Sequence, residues 1–218
     1  MGYGMRMAKG NQTVDHILSH AGPIFGEKGP ARATGKEICA AANINAAAIN
    51  YHFGGVDGLY AAVLDRVTAQ YLYVDLDQLE AALRNEASPR GKIKIIIHPV
   101  VKLLSGPSEM RWMARVAGHE LVVPTSLSSP FVDGVERMGR LVREVISTIT
   151  GMADDDPRLA FTSVAFLGML QWLVVADRTL IERLFPGFRF ESGTDDGLGQ
   201  LLVDYVLNGL AGLRAIDS

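Results

Sequence analysis

Residues 34–53 read TGKEICAAANINAAAINYHF, and this stretch decides the fold. Thr34-Gly35-Lys36-Glu37 fits a capping box, in which the Thr34 hydroxyl accepts from the Glu37 amide and the Glu37 side chain reaches back. The short helix that starts there has an apolar face of Ile38, Ala41 and Ala42, and Asn43, which tolerates the left-handed conformation, ends it in a tight turn. Ile44 is expected to pack inward. Asn45 is a good N-cap for a second helix, Ala46 to His52, in which Ile49 and Phe53 are expected to form a buried i, i+4 pair. Two short helices joined by a tight turn make a helix-turn-helix, whose second helix can enter the major groove of DNA.

The chemistry of that second helix suits close contact. Ala46, Ala47 and Ala48 are small enough for the backbone to approach base edges, with methyls available to thymine methyls. Asn50 has the donor and acceptor for a bidentate pair with adenine, Tyr51 and His52 can bond phosphates, and Lys36 can place a charge at the edge of the groove. With Asn45 these make the candidate DNA-binding set. The same side chains would also suit the polar surface of an ordinary packing helix.

The bulk composition constrains the partner. At 218 residues and 48% hydrophobic content the chain can build a real core. A net charge of -3 excludes a uniformly basic nucleic-acid coat, so any DNA contact is local. Residues 1 to 60 hold Arg6, Lys9, Lys28, Arg32 and Lys36 against Asp15, Glu27, Glu37 and Asp57, a net of only +1. The single cysteine, Cys39, rules out an internal disulfide framework and fits a reducing cytoplasm, where a packed thiol is expected. MGYGMRMAKG has no apolar h-region, so no signal peptide is expected.

Outward from the helix-turn-helix, helical periodicity and caps recur while alternating strand patterns are almost absent, so the fold class is all-α. The first helix shows Val14, Ile17, Leu18, Ala21 and Phe25 at helical spacing, with Thr13 as its cap, Pro23 as an expected kink and Gly29 as its stop. Ser88-Pro89, Ser129-Pro130 and Asp156-Pro157 each place proline at a first helical position. The expected later helices are 57–86, 89–105, 108–122, 130–150, 157–185 and 195–214. The expected organisation is a flexible arm at 1–12, a three-helix DNA-binding domain at 13–56, and a helical ligand-binding and dimerisation domain at 57–218. Leu159–Ala176 is free of charge for 18 residues, but Thr162, Ser163, Gly168 and Gln171 interrupt it, and a buried bundle helix is expected rather than a membrane span.

TVDHILSHAGPIFGEKG at 13–29 and ATGKEICAAANINAAAINYHFGGVDGLYAAVL at 33–64 together resemble the N-terminal domain of tetracycline-repressor-like (TetR-family) regulators. INYHFGGVDGLY, with MARVAGHELVVPTSLSSPF at 113–131, is similar to the CecR-like branch of that family. The resemblance implies a homodimer whose two recognition helices read a palindromic operator, with C-terminal helices that bind a small effector. By position, Lys36, Ala46, Ala47, Asn50, Tyr51 and His52 match the family's DNA-facing residues. This chain departs from the pattern at Pro23, at Asn43 in place of a turn glycine, and at Val56-Asp57 in place of Lys-Glu. The resemblance implies that the missing lysine is a phosphate contact, so its loss weakens the salt-dependent part of DNA affinity.

The last two helices are rich in apolar residues, among them Phe161 and Trp172. Leu198, Leu202, Tyr205 and Leu210 are the expected dimer-interface residues, although each would equally suit the subunit's own core. An effector cavity needs apolar walls and a few polar groups, and the candidate lining is Trp112, Met113, Val116, His119, Glu120, Met138, Phe166, Met169, Gln171 and Trp172. No cofactor is implied. His16 and His20 at i, i+4 could face one metal, but they fall away from the apolar stripe and have no third ligand nearby, so a solvated face is expected. No HExxH, Gly-x-Ser-x-Gly, P-loop or Rossmann fingerprint occurs, and no catalysis is expected. The competing readings are a ligand-binding helical dimer that does not read DNA, and an all-α enzyme using His119 and Glu120.

Overall fold

The computed structural model describes the backbone of residues 2–71, 76–105, 111–126, 130–187 and 195–215, with side chains described from residue 12 onward except at 70, 71, 105, 195, 196, 214 and 215. Every regular element among them is an α-helix: α1 Gly2–Lys28, α2 Gly35–Ala42, α3 Ala46–Phe53, α4 Val56–Tyr71, α5 Leu76–Asn85, α6 Pro89–Ser105, α7 Arg111–Val122, α8 Pro130–Thr150, α9 Pro157–Val175, α10 Arg178–Leu184 and α11 Asp195–Ala215. The chain forms two compact units, Met1–Tyr71 with Trp112–Phe131, and Leu72–Arg111 with Val132–Ser218. The sequence division at 56 and 57 falls inside the first unit, because α4 and nearly all of α7 cluster with the N-terminal helices.

In the first unit α1 lies against α2 and α4, and α3 packs on both α2 and α4. Ile17, Ala21 and Phe25 of α1, Ile38 of α2, Ile49 of α3 and Leu59, Val63 and Val67 of α4 are all buried, the helical stripe expected of a core. One expectation is corrected here. The backbone is helical from Gly2, so Thr13 lies inside α1 rather than capping it. Gly2, Gly4 and Gly10 each cost about 1 kcal/mol relative to alanine in a helix, but no proline or cap interrupts the ladder before Thr13. At the other end Gly29, at φ 74, closes α1 as expected, its amide donating to the Phe25 carbonyl at 2.8 Å.

The glycines of α1 let α7 come close. A Cβ at Gly22 would stand 2.5 Å from the Trp112 ring, and one at Gly26 would stand 2.8 Å from the Trp112 carbonyl oxygen. No side chain fits between the helices there.

In the second unit α6 is central, packing against α5, α9 and α11 through Ile93, Ile96, Ile97 and Val101. Arg90 fastens α6 to α11 through Asp204 at 2.7 Å and Gln200 at 2.6 Å. Arg137 of α8 bridges Asp77 and Glu80 of α5 at 2.6 and 2.7 Å. The three Ser/Asp-Pro starts open α6, α8 and α9 as expected, and Asp156 accepts from the Arg158 amide at 2.8 Å. The single helix expected over 157–185 is two: Ala176 is extended, and the Asp177 side chain accepts from the Leu180 amide at 3.1 Å to start α10. A short acid that caps locally competes with helix continuation, which the apolar periodicity on either side concealed. For the helices expected over 57–86 and 108–122, residues 72–75 and 108–110 lie outside the described residues.

Of the described helices, α9 alone is long and apolar enough to cross a membrane, and 33% of its apolar window is buried. Leu159, Phe166, Leu170 and Leu173 turn into the second unit, whereas Phe161 and Val164 are 76% and 71% exposed. The expected buried helix is therefore buried on one face only.

Candidate nucleic-acid interface

The helix-turn-helix is built by local hydrogen bonds that its residue types dictate. At the start of α2 the Glu37 amide donates to the Thr34 hydroxyl at 3.3 Å, and the Thr34 amide and hydroxyl donate to Glu37 Oε2 at 3.2 and 2.8 Å. Lys28 Nζ adds a bond to Glu37 Oε1 at 2.5 Å, joining the end of α1 to the cap. The lysine bond first, and the Thr34 bonds second, hold the Glu37 carboxyl down from 4.5 to about 2. A carboxyl lowered in the folded state contributes stability above its ordinary value and loses it as pH falls through the folded one. The cap contribution is therefore expected to persist at pH 4.5 and to disappear towards pH 2. Carboxyl-carbon NMR of Glu37 should titrate near 2, and Lys28→Met should move the midpoint up towards 4.5. An unchanged midpoint in that variant would contradict the assignment.

Asn43 takes up the left-handed conformation at φ 51, ψ 48, and the Ile44 amide donates back to the Cys39 carbonyl at 3.0 Å, closing α2 as a Schellman turn does. Asn45 then caps α3, its side-chain oxygen accepting from the Ala48 amide at 3.0 Å. Ile49 is buried, while Phe53 and Ile44 are half-buried rather than enclosed. Gly54 at φ 74 and Gly55 at φ 132 make the turn into α4. Val56 stands where the resemblance implies a lysine, and its methyl would lie 3.1 Å from a Cβ on Gly35 at the start of α2.

This scaffold leaves one face of α3 uncovered. Asn45, Ala46, Ala47, Asn50 and Tyr51 are exposed, Tyr51 to 85%, and Lys36 of α2 is exposed as well. His52 is half-buried and meets the Tyr51 ring edge-on at 4.9 Å. Ala46 and Asn50, and Ala47 and Tyr51, are each one helical turn apart, so they form a single ridge. Seven positions singled out from the sequence thus surround the start and outer face of α3. Residues 17–63 match the family described as bacterial regulatory proteins, tetR family. No curated protein matches the chain. Solved structures do: a TetR-family transcriptional regulator from Bordetella parapertussis is similar at TM-score 0.67 and 14% identity, over 92% of this chain and 96% of that one. AibR in complex with isovaleryl coenzyme A and operator DNA is similar at TM-score 0.63 and 14% identity, over 90% and 97%. FadR from Bacillus subtilis, in complex with stearoyl-CoA, is similar at TM-score 0.53 and 12% identity, over 86% and 96%. At such identities the likeness establishes a shared all-helical, TetR-like fold around the matched N-terminal segment.

The effector-lining candidates divide between the two units. In the first, Met113 and Val116 are core residues, Trp112 lies over Gly22 and Gly26, and His119 Nε2 is 3.2 Å from the Gly26 carbonyl oxygen. Glu120 is 1% exposed; its Oε2 accepts from the Tyr60 hydroxyl at 3.0 Å, and its Oε1 accepts from the Thr125 amide and hydroxyl at 2.7 Å each. Burial first, then the Glu120 charge, pushes the Tyr60 hydroxyl above its ordinary range. In the second unit Phe166 is buried, Met138 and Met169 are half-buried, and Trp172 is 45% exposed with its ring edge-on to Phe185 at 6.3 Å. Gln171 keeps its side-chain nitrogen buried without a hydrogen-bond partner among the described residues.

The dimer candidates separate by face. Leu202 and Leu210 are buried in the second unit's own core and Leu198 is half-buried, because this side of α11 packs on α6. Tyr205 is 68% exposed, beside Leu201 at 63%, which the sequence reading missed. The turn offset between Leu201 and Leu202 was the available signal, but both sides of the helix are apolar. Among the described residues no group of three His, Cys, Asp or Glu could hold a metal ion.

Proposed function

We propose that the chain is a ligand-responsive, DNA-binding transcriptional regulator of the cytoplasm, a repressor that binds a palindromic operator as a homodimer and is released by a small effector. The observation that carries this reading is the capped α3 with its exposed ridge of Ala46, Ala47, Asn50 and Tyr51, inside a segment that matches the tetR family. Asn50 reads adenine, the alanines face thymine methyls, and Asn45, Lys36, Tyr51 and His52 bond the phosphates. Two such helices read half-sites about 34 Å apart, one turn of DNA. The CecR-like branch is the narrower reading, supported by residues 113–131.

Dimerisation is assigned to the uncovered apolar faces of α9 and α11, where Phe161, Val164, Leu201 and Tyr205 are exposed. A Phe161→Glu/Leu201→Glu double variant is expected to run as a monomer in light scattering, since each buried aromatic or leucine at an interface centre contributes about 2 kcal/mol or more. A dimer of unchanged affinity would remove these faces from the interface.

Effector binding shifts α4 and spoils the half-site spacing, with a coupling on the order of 1 to 3 kcal/mol. The effector lining is assigned to Met138, Phe166, Met169, Gln171 and Trp172 of the second unit; in the first unit His119 and Glu120 are engaged with Gly26, Tyr60 and Thr125. Isovaleryl-CoA and stearoyl-CoA, present in the AibR and FadR structures, are the first effectors to try. Fluorescence anisotropy with palindromic DNA from the chain's own upstream region, over a series of salt concentrations, tests the reading. Sequence-specific binding that Asn50→Ala weakens about 10-fold or more supports it. No specific binding at low salt sinks it and favours a ligand-binding dimer without DNA reading, the alternative that Val56 and the local charge of +1 over residues 1 to 60 favour. An enzyme built on His119 and Glu120 lacks support, because the two side chains are engaged with separate partners.

A further inference from the structure

His16 and His20 were expected to sit on a solvated face of α1; His16 is exposed and His20 half-buried, and their rings lie tilted near one another, with centroids 4.4 Å apart. His16 nevertheless reaches out of its own helix. Its Nε2 lies 2.8 Å from the carbonyl oxygen of Ala42, the last residue of α2, which is 2% exposed. A carbonyl oxygen only accepts, so Nε2 carries the proton and donates. The Ala42 carbonyl belongs to the final turn of α2, where no later amide of that helix is available to it. His16 therefore supplies from α1 a bond that α2 cannot make for itself. The His16 backbone is tied in turn, its carbonyl accepting from the Ser19 hydroxyl and from His20 Nδ1, both at 2.8 Å.

The next residue after Ala42 is Asn43, the left-handed turn, and α3 starts three positions later at Ala46. We propose that His16 is a positioning residue for the recognition helix: its Nε2–H holds the end of α2 against α1 and so fixes the turn from which α3 is aimed. This rests on the reading of α3 as the DNA-reading helix, and it adds a residue 30 positions away from Ala46 in sequence that touches no base.

Three substitutions separate the bond from the bulk of the ring. His16→Phe keeps a ring without a donor, His16→Ala removes both, and His16→Gln places an amide N–H at nearly the reach of Nε2. Ile17, Leu18, Ala21 and Phe25 remain to pack α1, so the fold is kept in all three. Amide hydrogen exchange is followed at Asn43, Ile44 and Ala48, with Leu64 and Val67 of α4 as the internal reference. The Phe and Ala variants are expected to exchange about 3- to 10-fold faster at the turn with the reference unchanged, and the Gln variant to return to the wild-type rate. Affinity for the upstream-region DNA duplex is expected to fall by about the same factor in Phe and Ala and to recover in Gln. Wild-type exchange at the turn in His16→Phe overturns the proposal, as does an equal rise at turn and reference, or failure of Gln to recover. If wild-type protein binds no DNA while the exchange pattern is as expected, the DNA reading fails and the anchoring of the turn by His16 stands.

Discussion

Glu120→Ala is expected to destabilise the first unit by about 3 kcal/mol. The carboxylate is 1% exposed and accepts three hydrogen bonds, one from Tyr60 and two from Thr125. Their loss is unequal. Thr125 is exposed, so water replaces its partner at little cost, whereas the Tyr60 hydroxyl, on a residue 5% exposed, is left unpaired at about 1 to 3 kcal/mol. The lost Cγ methylene and carboxylate leave a cavity, which brings the sum to the stated figure. Glu120→Gln keeps an acceptor and should cost about 1 kcal/mol, and Tyr60→Phe, which removes the donor together with its need for a partner, should cost less than Glu120→Ala. Urea melts of the wild type and the three single variants decide this, and Glu120→Ala and Tyr60→Phe should be non-additive in the double variant because they share one bond. The outcome also separates two roles for Glu120. An unengaged effector anchor could be truncated without changing the stability of the effector-free protein, so a change under about 1 kcal/mol would return Glu120 to the candidate lining and remove the structural role assigned here.

What could be read from residues alone was whatever neighbouring residues decide among themselves. Thr34 with Glu37, Asn43, Asn45 and Gly29 act within one turn of chain, and each does what its chemistry predicts. The prolines that open α6, α8 and α9 are of the same kind. Asp177 is local too, but its signal was hidden by apolar residues on both sides. Long-range engagement was not legible. Nothing in the spacing of His16 names Ala42 as its partner, 26 residues on, and nothing around Glu120 names Tyr60, 60 residues back. The same limit explains the dimer set, since periodicity identifies an apolar α11 but not which of two apolar sides another helix covers. Only packing on α6 distinguishes Leu202 from Leu201. Gly22 and Gly26 carried a faint signal, two glycines four apart in a helix where alanine is better by about 1 kcal/mol each, whose meaning required the helix that crosses them.

Gly58→Ala poses a sharper question of sign. Gly58 sits in the first turn of α4, and exchanging glycine for alanine inside a helix ordinarily stabilises by about 1 kcal/mol. Here a Cβ would overlap the backbone carbonyl oxygen of Phe53, the last residue of α3. Backbone cannot swing aside as a side-chain tip can, so the methyl must push α3 and α4 apart, at about 3 kcal/mol, the upper end of overpacking costs. The steric term exceeds the propensity gain, and a net loss of about 2 kcal/mol is expected in thermal or chemical unfolding. Gly54→Ala is the control: its φ of 74 makes alanine strained, but nothing lies within 4 Å of a Cβ there, so only the conformational cost of about 1 kcal/mol applies. The two substitutions should also part in function. Relief of the Gly58 overlap tilts α3, and DNA affinity is expected to drop about 10-fold or more beyond what the unfolded fraction explains, whereas Gly54→Ala leaves the ridge of Asn50 and Tyr51 in place. A Gly58→Ala protein that melts higher than wild type would mean that α3 and α4 have room to part without strain, and the rigid α3–α4 corner on which the aim of the recognition helix depends would have to be abandoned.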